Sequence, residues 1–185
     1  MQFSEIREMI VGECAAALGR IDAEDSERLL DMIEGSEQVF FVGVGRVLLS
    51  LQAICKRFAH LGISTHYVGE ITEPAITGKD LLIAGSGSGE SLFPVAIARK
   101  AKSIGAKVAY IGSNRESTIA GLADLMVRIP VQTKLARADE LKSNQPMTSL
   151  FEQCLLLYGD ALAKTLIDRR NIHMPDLWMH HANLE

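Results

Sequence analysis

Leu81-Leu-Ile-Ala-Gly-Ser-Gly-Ser-Gly-Glu-Ser91 is a short apolar run that ends in alternating glycines and serines. A helical apolar pattern starts at position 91 and runs to 104, where Gly105 stops it. The order is strand, glycine-rich loop, helix N-terminus. Such a loop aims several backbone N–H groups at one point, and the helix dipole adds partial positive charge there. Gly85, Gly87 and Gly89 remove the Cβ atoms that would block a bulky anion. Ser86, Ser88 and Ser91 add hydroxyl donors. A phosphate monoester suits this arrangement, although glycine and serine also occur in ordinary strand-to-helix turns. No Lys-Ser or Lys-Thr follows the last glycine, so this is not a Walker A loop. The later glycine of a dinucleotide fingerprint is also missing.

Outward from this loop the same alternation repeats. Apolar runs at 38–42, 65–68, 81–84, 108–111 and 125–129 read as strands. Ile6, Met9, Ile10, Cys14 and Leu18 recur at helical spacing, and Asp22 can cap a second helix carrying Leu29, Leu30 and Ile33. Further helices are expected at 46–61, 91–104, near 117–122 and at about 148–170. Strands alternating with helices imply right-handed crossovers. The strands are apolar throughout, as when helices cover both faces. The fold class is therefore α/β, a doubly wound five-stranded parallel sheet. Ligands of such folds bind beyond the carboxyl ends of the strands, at the switch in strand order. Gly43-Val-Gly45-Arg46 and the serine–glycine loop both lie at such ends. Gly45 and Arg46 thus join Ser86, Gly87, Ser88, Gly89 and Ser91 as candidate substrate-binding residues.

The chain has 185 residues, which suits one domain spanning 1–185. Its net charge is −4 and no basic run exceeds two residues, so no nucleic-acid surface is expected. No apolar run reaches membrane-spanning length. The N-terminal stretch carries Glu5, Arg7, Glu8 and Glu13, unlike a signal peptide. Cys14, Cys55 and Cys154 are odd in number and widely spaced, which reads as free thiols in the reducing cytoplasm. No His, Asp and Glu cluster has metal-ligand spacing, and neither a metal nor a cofactor is expected.

Two segments carry candidate chemistry. Glu152, in Ser149-Leu-Phe-Glu152, fits a capping box with Ser149 as N-cap. It fits equally a carboxylate base, since it shares a helix face with Leu155, Leu156 and Gly159. His180 and His181 lie in the tail, 171–185, whose ending Trp178-Met-His-His-Ala-Asn-Leu-Glu185 is too rich in chemistry for a disordered end. The tail is expected to dock, at a subunit interface. Arg46 can grip a phosphate or sugar hydroxyl, or simply pair with an acid. Glu70 is a second acid or a plain loop residue. His60 is explained by a helix C-terminus, and His66 and His173 have no evident partner. The region 130–144 reads as a polar, charge-rich loop.

With these residues in view, the chain resembles the SIS (sugar isomerase) domain family over nearly its full length. The resemblance rests on Gly43-Val-Gly45-Arg46, Phe58-Ala-His-Leu-Gly62, Val68-Gly-Glu70 with Pro74, the serine–glycine loop, Gln145-Pro-Met-Thr-Ser-Leu-Phe-Glu152-Gln and the ending His181-Ala-Asn-Leu-Glu185. It implies interconversion of D-arabino-hex-3-ulose 6-phosphate and fructose 6-phosphate through a cis-enediol, a step of ribulose-monophosphate formaldehyde fixation. It implies Glu152 and His181 as the catalytic pair, a sugar phosphate as the partner molecule, and a homo-oligomer, a tetramer, with sites near subunit interfaces. The family usually continues Gly-x-Gly-Arg with Ser-Gly, whereas Val47 and Leu48 stand here. Valine cannot donate the hydrogen bond that the family serine gives phosphate, and leucine adds bulk beside the cleft. An isomerase of a different phosphosugar, or a non-catalytic phosphosugar-binding module, are the alternatives this departure keeps open.

Overall fold

The computed structural model describes residues 2–184. Five strands, β1 (Val39–Val42), β2 (Thr65–Tyr67), β3 (Leu81–Gly85), β4 (Lys107–Gly112) and β5 (Leu125–Arg128), form one sheet in the order β2-β1-β3-β4-β5. Every neighbouring pair is parallel. Six helices accompany them: α1 (Phe3–Leu18), α2 (Ala23–Glu34), α3 (Gly45–His60), α4 (Leu92–Ile104), α5 (Thr118–Leu122) and α6 (Ser149–Arg169). A 3-10 helix, Met174–His180, follows.

Strand side chains alternate between two cores, as the pleat requires. Val39, Phe41, Leu81, Ile83, Ala109 and Ile111 face α1, α2, α3 and α6. Phe40, Val42, Leu82, Ala84, Val108 and Tyr110 face α4 and α5. Both faces are covered, which is why β1 and β3 tolerate no polar residue. Helix ends follow local chemistry. The Asp22 carboxylate accepts from the N–H groups of Glu24, at 2.8 Å, and Asp25, at 3.1 Å, capping α2. Gly105 takes φ 94° to end α4, a conformation costly for any residue with a Cβ.

The chain leaves β1 toward β2 on one side, then crosses to β3 on the other. The switch point therefore lies between β1 and β3. The glycine loops that follow these two strands face each other there. Close approach is built in: a Cβ on Gly85 would stand 2.9 Å from Leu51 and 3.2 Å from Val47, both on α3. The α3–α6 crossing is equally tight, since a Cβ on Gly159 would meet Ile54 at 2.2 Å. That contact fixes the register of the two helices. Glu152 lies about two turns before Gly159, and Ser50 and Arg46 lie one and two turns before Ile54, so all three meet at the same end.

Candidate active site

A cleft of about 790 Å³ opens at the switch point. Gly45, Arg46, Ser86, Gly87, Ser88, Ser91 and Glu152 all line it, so one concave surface gathers residues from three separate stretches of sequence. Gly89, buried beneath, shapes the loop. Its φ is +68°, and a Cβ there would overlap Ser117 Oγ at 2.1 Å.

The serine–glycine loop is held from the β4 side by its carbonyls. Tyr110 Oη donates to the Ser86 carbonyl at 2.9 Å, Ser113 N–H to that of Gly87 at 3.1 Å, and Asn114 Nδ2 to that of Ser88 at 3.1 Å. Burial pushes the Tyr110 hydroxyl well above its ordinary pKa, so it stays a donor. Three successive oxygens are thus occupied by donors from β4 and the residues just after it. The N–H groups of Gly87 and Ser88 carry no hydrogen bond among the described residues. A loop with bound carbonyls and open amides is an anion cradle. Ser86 Oγ braces the loop from inside, accepting from Gly89 N–H at 3.1 Å and lying 3.2 Å from Ser91 Oγ.

Glu152 is buried to 8% exposure. Its carboxylate accepts from Arg46 Nε on one oxygen and from Thr148 Oγ1, at 2.9 Å, on the other. Ser50 Oγ donates to its carbonyl at 2.9 Å. The capping-box expectation is corrected: Thr148, not Ser149, is the N-cap, and Glu152 sits one residue too deep to reach back to the cap N–H. Thr148 instead turns its hydroxyl onto the carboxylate. A buried carboxylate facing a cleft needs such partners, because unpaired burial costs several kcal/mol. Arg46 pairs with an acid, Glu152, and also lines the cleft.

The tail docks, but not at this cleft. Within the chain, His181 stacks on His60 with ring centroids 5.2 Å apart and on Trp178 at 5.0 Å. His60 is the last residue of α3 and Arg46 lies in its first turn, so the tail sits about 20 Å from the cleft along that helix. Glu152 and His181 of one chain therefore do not meet. His60 is buried, and burial first, then Lys56, Arg57, His181 and His180, lower its pKa and keep it neutral. Leu177 packs on the core while Trp178 and Met179 are exposed. Glu185, the end of the quoted motif, lies outside the described residues.

The remaining expectations resolve simply. His66 Nδ1 lies 2.6 Å from Glu70 Oε1, so these two partner each other, and neither lines the cleft. His173 lies 3.7 Å from Asp176. Val47 lines the cleft as expected, whereas Leu48 does not and adds no bulk there.

The 130–144 loop, read as merely polar, supplies an entire wall through Gln132, Thr133 and Lys134, continued by Gln145 to Ser149. Glu13 on α1 holds its far end. It accepts from Ser143 Oγ at 2.6 Å, Asn144 N–H at 2.8 Å and Gln145 Nε2 at 3.1 Å. Burial alone would raise the Glu13 pKa, but these donors together outweigh it and the pKa is lowered. A lowered folded pKa gives stability that is present above the unfolded carboxylate value, about 4.3, and is lost as pH falls through the folded one. Glu13→Gln should therefore cost up to about 1 kcal/mol near neutrality, screening included. In urea titrations the gap to the parent should shrink at acid pH. An equal gap at both pH values would remove the charge from this contact.

Comparison with known proteins places this geometry. The SIS domain model matches residues 32–159, which include both glycine loops and Glu152. The chain belongs to the SIS domain family. A 3-hexulose-6-phosphate isomerase of Bacillus subtilis (strain 168) is 39% identical over 185 residues, covering all of both chains. One of Mycobacterium gastri is 37% identical, over 96% of this chain and 88% of that one. A Methanococcus jannaschii protein, for which a 3-hexulose-6-phosphate isomerase function was inferred from its crystal structure, superposes with TM-score 0.85 at 26% identity, covering 98% of this chain and 99% of that one. In this SIS domain the cleft at the β1–β3 switch point is lined by both glycine loops, by Glu152 and by part of the 130–144 loop.

Proposed function

We propose that this chain interconverts D-arabino-hex-3-ulose 6-phosphate and fructose 6-phosphate. The observation that carries the reading is the paired Glu152 carboxylate facing the serine–glycine cradle across one cleft. Relatives that bear the isomerase name and match over most of their length support the substrate.

Moving a carbonyl between carbons 3 and 2 needs no redox cofactor. Glu152 removes the proton on carbon 2, the electrons form the carbon–carbon double bond of a cis-enediol, and the proton returns to carbon 3. A second group moves protons between the two oxygens, and His181 is proposed for it. Arg46 and the loop amides stabilise the developing negative charge. The phosphate, held away from the reacting carbons, orients them. Because oxygen 6 is phosphorylated, the 3-ketone cannot close a furanose ring and enters in open-chain form.

Since His181 and Glu152 of one chain are about 20 Å apart, the pair must be completed by the tail of a neighbouring copy. A homotetramer in the cytoplasm, with exposed Trp178 and Met179 at a subunit contact, fits this reading. A coupled assay with enzymatically generated hexulose 6-phosphate, beside a panel of other sugar phosphates, tests it. Turnover of a different phosphosugar alone would replace the substrate.

A second substrate is favoured by one observation, Val47 on the cleft floor where the family serine would donate to phosphate. Val47→Ser should tighten fructose 6-phosphate by up to roughly tenfold in calorimetry, the worth of one hydrogen bond to a charged group. Unchanged or weaker affinity would mean that the valine is fitted to the ligand. Leu48→Gly adds only the cost of a helical glycine, about 1 kcal/mol, because it does not reach the cleft.

A further inference from the structure

Thr133 rests directly on the serine–glycine loop: its methyl lies 3.4 Å from where a Cβ on Gly87 would stand. Lys134 follows at the tip of a tight turn, exposed, and lines the cleft with Ser86, Gly87 and Ser88. The turn is closed by Ala136 N–H donating to the Thr133 carbonyl at 3.1 Å and by Leu135 N–H donating to Thr133 Oγ1 at 3.2 Å. Ala136 takes φ 48°, a left-handed conformation an alanine does not adopt cheaply.

Glu140 imposes that shape. It is buried to 6% exposure, and its carboxylate accepts from four donors: Thr133 N–H at 3.0 Å, Thr133 Oγ1 at 2.9 Å, Arg137 N–H at 3.1 Å and Ser113 Oγ at 3.2 Å. Ser113 lies just past β4, next to the Asn114 that holds the Ser88 carbonyl. The turn and the cradle are therefore anchored to the same strand end.

The cradle itself is made of neutral donors. A phosphate monoester carries about −1.5 to −2 charges near neutrality, while a helix N-terminus offers about half a positive charge. Of the two cations lining the cleft, Arg46 is engaged with Glu152, and Lys134 forms no ion pair among the described residues. We propose that Lys134 is the cationic partner of the substrate phosphate, and that Glu140 is the positioning residue that sets Lys134 over the serine–glycine loop. The lysine that a Walker loop carries in its own sequence is supplied here from a distant turn. This inference rests on the phosphosugar reading of the cleft.

The test compares Lys134→Met and Lys134→Arg with the parent, using KM and kcat for fructose 6-phosphate and inhibition by inorganic phosphate. Lys134→Met should raise KM and the phosphate inhibition constant by roughly ten- to a hundredfold, leave kcat within about twofold, and flatten the salt dependence. Lys134→Arg should recover most of the affinity. Unchanged KM and inhibition in Lys134→Met overturn the proposal, and so does a fall in kcat at constant KM, which would put Lys134 at the reacting carbons. If the parent itself binds neither fructose 6-phosphate nor inorganic phosphate, the phosphosugar reading fails first and takes this one with it. Glu140→Gln should weaken phosphate inhibition in the parent but add little in the Lys134→Met background. An equal effect in both backgrounds would show that Glu140 acts independently of Lys134.

Discussion

Glu152→Gln should lower turnover of hexulose 6-phosphate by about a hundredfold or more while leaving KM close to the parent value. Glutamine has nearly the shape of glutamate and retains an oxygen for the Thr148 hydroxyl, which donates to the carboxylate at 2.9 Å. What it cannot do is take a proton from carbon. The fold should survive the change, because α6 is held against α3 by Gly159 and Ile54 and by buried Leu155 and Leu162, not by the Arg46 pair. Arg46 is mostly solvent-exposed, so it can return to water when its partner becomes neutral. Turnover within about threefold of the parent in the coupled assay would mean that proton transfer from carbon uses another group.

The second large effect lies at the other end of α3. His181→Ala should also lower turnover by roughly a hundredfold, and phosphate binding should stay intact because no residue of the serine–glycine loop is altered. Deleting residues 181–185 should do the same without unfolding the domain, since these residues lie after the last core contact, made by Leu177. Mixed Glu152→Gln and His181→Ala subunits then give the sharper result. If each cleft takes its carboxylate from one chain and its histidine from another, random exchange restores active sites at about a quarter of the parent density. No recovery after proven exchange would remove His181 from the chemistry.

These two residues show where a linear reading works and where it stops. Glu152 was readable as a candidate because its helical face is apolar and the residues around it match a narrow motif. Its N-cap was misplaced by one residue, since both Thr148 and Ser149 are good caps and only the backbone turn decides between them. His181 was readable as chemically valuable but not as remote. The sequence carries no distance between the two ends of α3. Nothing in the sequence marks Lys134: one lysine in a charged loop has no periodicity, no glycine punctuation and no motif.

By itself the sequence determined the sheet, its parallel sense, the positions of nearly all helices, and the serine–glycine loop between β3 and α4. Those features are local: apolar runs, caps and glycines act over a few residues, and burial on both faces leaves no other arrangement for such strands. Only the tertiary structure decided what surrounds the loop. The contact between Gly159 and Ile54 registers α6 on α3 and delivers Glu152 to Arg46. Glu140 and Glu13, each a single carboxylate with several donors, fold the 130–145 segment into a cleft wall. Such contacts join residues as many as 132 positions apart. They depend on side-chain geometry after collapse, which no pattern of neighbouring residues encodes.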